Sequence, residues 1–131
     1  MYKKFLWMVI LSGIIVFSCN KDIPRRAVVT TGNFDLAQAM AHGTLVDKGS
    51  QGITDHGFCW DTVGDPTLTN QVVRMGSLNV TGEFQVQLTT LKPVTTYHLR
   101  AFIQTGGETL FGSAITFTTP DLPVLTTIPV T

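Results

Sequence analysis

From Thr95 to Gln104 the apolar and polar positions alternate. Tyr97, Leu99, Ala101 and Ile103 fall on one side, with His98, Arg100, Phe102 and Gln104 on the other. A period of two sends successive side chains to opposite faces of a pleated strand. The same period runs through Phe84, Val86 and Leu88, which are separated by Gln85 and Gln87. It recurs in Phe111, Ser113, Ile115 and Phe117 of a last strand predicted over 109–119, with a bulge or kink at Gly112. Earlier in the chain, Ala27–Thr31 is a short β-prone run closed by Gly32-Asn33. Residues 36–46 read as a strand whose inward positions, Ala37, Ala39, Ala41 and Gly43, are small. An Ala-rich helix competes for that stretch, but it would hold Gly43 in its interior. Over Ile53–Trp60, His56, Phe58 and Trp60 share a face and Cys59 points the other way; residues 68–75 hold a short edge strand. Clusters of Gly, Asp, Ser and Pro at 47–52, 61–66 and 105–108 mark turns between these runs. About seven strands separated by turn signals predict an all-β antiparallel sandwich.

One stretch ties the strands together. In Leu91-Lys92-Pro93-Val94-Thr95-Thr96-Tyr97, Pro93 interrupts any ladder and sets a bend just before the longest strand. A Tyr two places into that strand buries its ring and brings its hydroxyl back to the bend. The spacing predicts a hydrogen bond between the Tyr97 hydroxyl and backbone within residues 91–94.

The first residues obey a different rule. Lys3 and Lys4 precede Phe5 to Phe17, a run that is apolar apart from Ser12 and Gly13. A spanning helix needs about 20 apolar residues, so residues 1–18 read as a secretory signal peptide. Val16-Phe17-Ser18-Cys19 resembles the lipobox of bacterial lipoproteins, although Phe17 is bulky for its place. That resemblance implies lipidation at Cys19, residues 19–26 as a tether, and a partner in the membrane reached through the lipid anchor. Cleavage leaves seven basic side chains against nine acidic ones. With Cys19 a thioether, Cys59 has no partner for an intrachain disulfide. The near-neutral balance and the absence of a Lys/Arg cluster argue against a nucleic-acid partner.

The residues with chemical potential are scattered. His42, His56 and His98 have no metal-ligand spacing, and Asp55, Asp61 and Asp65 do not match a calcium loop. Cys59 has no neighbouring cation or helix N-terminus in the sequence to activate it. No nucleophile–base pair or carboxylate pair presents itself, so neither catalysis nor a cofactor is expected. The outward set His98, Arg100 and Phe102 is the expected interaction face, where an exposed aromatic beside Arg suits a protein partner or a sugar ring. Coverage by an edge strand or a neighbouring repeat is the alternative.

Taken in order, Gly52-Ile53-Thr54, Gly57-Phe58-Cys59-Trp60, Asp65-Pro66-Thr67, Gly82-x-Phe84, the Leu91–Ala101 corner, Phe111-Gly112 and Phe117-Thr118-Thr119 resemble a fibronectin type III domain. They are similar to the repeats of this kind in Bacteroidetes cell-envelope lipoproteins. The resemblance covers 27–119 and implies an immunoglobulin-like, seven-stranded sandwich. Leu91, Pro93 and Tyr97 would form its tyrosine corner. It also implies a non-enzymatic spacer, adhesion or protein-interaction role in the cell envelope, on the outer membrane. A glycan-binding accessory lipoprotein is the second reading. Asp61-Thr62-Val63 is similar to a short O-glycosylation motif of the same group. Residues 120–131 read as a linker. Their Val124-Leu125-Thr126-Thr127 echoes Val28-Val29-Thr30-Thr31, as either the opening of a second repeat or a chance match of β-prone residues.

Overall fold

The computed structural model describes residues 24–121. The expected signal peptide, Cys19, the first part of the tether and residues 122–131 lie outside the described residues. Eight strands form: β1 Val28–Asp35, β2 Met40–Asp47, β3 Asp55–Asp61, β4 Gln71–Arg74, β5 Gly82–Gln87, β6 Thr96–Thr105, β7 Glu108–Phe111 and β8 Ile115–Thr118. They make two antiparallel sheets. One has the order β1-β2-β5; the other runs β4-β3-β6-β7, with β8 also on β6. The sheets face each other across one core of Leu45, Phe58, Trp60, Phe84, Leu88, Tyr97, Leu99, Ile103 and Phe117. The protein is thus an all-β sandwich.

The small residues of β2 have a visible purpose. A Cβ on Gly43 would stand 2.9 Å from the Phe84 ring and 3.2 Å from the Ala101 Cβ. Ala41 beside it is fully buried. Bulky rings from β5 therefore lie across β2 and reach the opposite sheet. The expected strand over 36–46 begins only at Met40. Leu36–Ala39 form the turn between β1 and β2, where the Asp35 carboxylate accepts the Ala37 N–H at 2.9 Å.

Two irregularities correct the strand count and the face assignments. β1 does not stop at Gly32-Asn33 but continues to Asp35, because one extra residue is accommodated between Thr31↔Gly43 and Phe34↔Ala41. The continuation brings Phe34 onto Phe117, with ring centroids 3.8 Å apart and planes 14° from parallel. The last predicted strand is split. Its first half pairs Phe102↔Phe111 and its second Leu99↔Ile115, so one more residue lies between the pairs on the return strand than on β6. Both halves lie on β6, so the eighth strand is the predicted seventh divided by a bulge. An extra residue inverts the alternation. Phe111 consequently shares the face of Phe102, whereas Ile115 and Phe117 face the core with Leu99 and Tyr97. The expectation that Phe111 and Phe117 share a face is therefore wrong.

Candidate functional site

Three places concentrate the singled-out residues. The first is the corner. The Lys92 N–H donates to the Tyr97 hydroxyl at 2.9 Å, and the Tyr97 ring is buried against Phe117. Thr119 closes the other side: its hydroxyl donates to the Lys92 carbonyl at 2.6 Å and accepts the Thr95 N–H at 2.9 Å. Leu91 packs on the core, while Pro93 stays exposed at the bend. Val94, just after it, sits at φ 48°. This is an outlying conformation for a β-branched residue. It is held by the Val94 N–H donating to the Pro120 carbonyl at 3.2 Å. The corner is thus a knot joining the β5–β6 connection to the end of β8.

Beside the knot lies an apolar cleft of about 260 Å³, lined by Phe34, Leu36, Leu88, Leu91, Pro93 and Pro120 among others. Ala39, at φ 54°, forms part of its wall and is fixed by the Leu88 N–H donating to its carbonyl at 2.8 Å.

The third place is the outer face of the larger sheet. His98, Arg100 and Phe102 share that face, as their alternation predicts, but they do not form an open platform. Phe102 is fully buried. It lies between Gly57 on β3 and Phe111 on β7, with the Arg74 guanidinium 5.8 Å from its ring centre. Gly57 must remain glycine: a Cβ there would collide with the Val73 carbonyl oxygen and press on Phe102. The exposed aromatic expected at Phe102 is therefore absent. The ring serves a small second core that the 61–70 loop completes by folding back over the sheet.

The loop is held at Pro66, itself fully buried. Its carbonyl accepts the Arg100 Nε–H at 2.7 Å and faces the Cys59 Sγ at 3.4 Å. The Arg100 guanidinium carbon also stands 4.0 Å from the Phe111 ring centre, a close cation–π contact. Burial pushes the Cys59 thiol up to about 11, against the opposing influence of Arg100. A thiol so placed stays protonated at neutral pH and is a poor nucleophile. His98 remains half-exposed, with Nδ1 3.4 Å from the Thr116 hydroxyl.

The other candidates are dispersed. The Asp61 carboxylate accepts from the Thr62 N–H at 2.6 Å and the Asn70 side chain at 2.5 Å. Asp55 lies at the opposite end of β3, bonded to Arg74 at 2.7 Å and to the Gly76 N–H at 3.0 Å. Partial burial opposes ionisation of Asp55. The Arg74 bond and the N–H groups of Gly76 and His56 outweigh it and hold the carboxyl below its ordinary range. His56 is buried, its Nδ1 2.6 Å from the Gly76 carbonyl and its ring edge-on to Phe84. Among the described residues, no three His, Cys, Asp or Glu side chains converge in a way that would hold a metal. Thr62 is exposed on the 61–70 loop.

The sequence missed Pro66 as a buried anchor and Phe34 as a stacking partner. The Asp-Pro-Thr run signalled a turn, but nothing local indicated that the turn would cover Cys59. The chain matches no family model and no curated protein.

Proposed function

We propose that this chain is a fibronectin type III-like module of a bacterial cell-envelope lipoprotein, anchored through Cys19 and acting as a non-enzymatic spacer, adhesion or protein-interaction domain. The observation that carries the reading is the path of the chain. It enters beside the β2–β3 loop, where the Ser50 N–H donates to the Arg25 carbonyl at 3.0 Å. It leaves at the opposite end, where Thr119 and Pro120 are tied into the Tyr97 corner. A sandwich with entry and exit at opposite ends holds the segments on its two sides apart by its own length. The three-plus-four strand order, with β8 read as the continuation of β7, and the Lys92–Tyr97 bond support the fibronectin type III assignment.

The side chains that carry charge or reactivity on the larger sheet are engaged in holding the fold. Arg100 and Cys59 secure the 61–70 loop, and Arg74 and Asp55 secure β4. The glycan-binding reading requires an open ring at Phe102, and that ring is buried. The test is expression of the full chain in a bacterium that processes lipoproteins, with membrane fractionation and intact mass as readouts. A lipid-sized increment on Cys19, lost in Cys19→Ser together with membrane retention, is the expected result. Unmodified Cys19 in a soluble chain would remove the anchoring claim, and turnover of any substrate dependent on His98 or Asp61 would remove the non-enzymatic one.

A further inference from the structure

The large apolar side chains that remain exposed are not scattered over the sandwich. Val28, Val46 and Val80 are at the entry end, and Leu36, Val63 and Val94 are at the exit end. At the entry end the three valines are neighbours on the smaller sheet. Val28 pairs with Asp47, directly after Val46, and Val80 stands two residues before Gly82, the partner of Leu45. The Lys48 ammonium donates to the Asn79 carbonyl at 3.3 Å and holds the β4–β5 loop against this corner.

Charge distinguishes the two ends. Entry-end loops carry Arg25, Arg26 and Lys48 against Asp47 and Glu108. Exit-end loops carry Asp35, Asp61, Asp65 and Asp121 against Lys92 alone. Asp55 and Arg74 pair with one another at the entry end, and Glu83, second in β5, is the nearest further acid. The apolar and cationic end is also the end from which the chain runs back to Cys19. Seven residues, 20–26, intervene and span about 25 Å at most. A tether of that length keeps the entry end near any surface that holds the lipid.

We propose that the entry end is a docking surface for an anionic phospholipid bilayer. Val28, Val46 and Val80 meet the interfacial zone, and Arg26 and Lys48 meet the phosphates. The sandwich then stands upright with its acidic end outward. Exposed aliphatic groups beside cations suit such a surface, whereas the acidic exit end is repelled by it. The inference rests on the anchoring reading above.

The experiment uses the full, lipidated chain reconstituted in vesicles containing phosphatidylglycerol or phosphatidylcholine alone. An environment-sensitive dye is attached at Val46→Cys, Val80→Cys or Val94→Cys, each position being exposed enough to tolerate the change. In phosphatidylglycerol vesicles the dyes at 46 and 80 are expected to shift to the blue and to be quenched by doxyl-labelled lipid, while the dye at 94 does neither. Arg26→Glu with Lys48→Glu is expected to reverse the shift, with an unchanged melting curve showing that the fold is intact. An anchored chain whose dyes at 46 and 80 behave as in water, or whose dye at 94 is quenched equally, overturns the docking surface alone. A chain without lipid on Cys19 and absent from the vesicles removes the anchoring reading and this inference with it.

Discussion

Cys59 and Trp60 are adjacent in the chain and buried on opposite faces of β3, each in its own apolar compartment. For Cys59 the consequence is measurable. Its thiol ionises at about 11 in the folded protein, above the ordinary 9.0, because burial disfavours the thiolate. The folded state therefore holds the proton more tightly than the unfolded chain. The stabilisation is complete below the unfolded value and is lost as pH rises from 9.0 towards 11. Cys59→Ala is expected to lack that alkaline loss, as read by urea midpoints across this range. At neutral pH the native thiol is expected to resist a disulfide reagent until denaturant is added. Rapid labelling of the native protein would mean that the 61–70 loop does not cover it.

At the scale of the strand, the junction between β7 and β8 governs most of what alternation alone mispredicts. Gly112 lies where β1 crosses closest. A Cβ there would stand 2.6 Å from the Thr31 hydroxyl and 2.7 Å from the Thr31 nitrogen. The same Thr31 hydroxyl accepts the Ala101 N–H at 2.9 Å, so one side chain of the smaller sheet satisfies the backbone of the larger one beside the bulge. Gly112→Ala must push β1 away and is expected to cost about 1–3 kcal/mol, typical of overpacking. Chemical denaturation measures the loss, and an unchanged midpoint would mean that the crossing is loose. The faces of β5 and β6 were legible because their alternation is unbroken and neighbours in sequence decide it. The face of Phe111 was not, since a single inserted residue inverts the parity without altering composition. The burial of Phe102 was equally invisible. It depends on Gly57, Arg74 and Phe111, brought together from three other strands, and no local pattern records that meeting. The interaction face was correctly placed on one side of β6, but its openness was a tertiary matter.

For the whole molecule, the core is shared rather than divided between the sheets. Phe84 from the smaller sheet meets Phe58 and His56 from the larger, and Phe34 stacks on Phe117 across the gap. Neither sheet keeps an apolar face covered without the other, so the two are expected to unfold together. Once residues 1–18 are removed, Trp60 is the only tryptophan and reports from this core. Urea unfolding monitored by Trp60 fluorescence and by far-ultraviolet circular dichroism should give one coincident transition. Separated midpoints would mean that one sheet persists alone.

The opposite placement of entry and exit also determines how the domain responds to being pulled. Tension from the tether to residue 121 draws β1 and β8 lengthwise in opposing directions. The β1–β2 and β6–β8 ladders then lie nearly parallel to the load, and their hydrogen bonds must slide together rather than open one at a time. The Tyr97 and Thr119 bonds fasten the point where the force leaves. A module linked in this way carries load as a stiff rod.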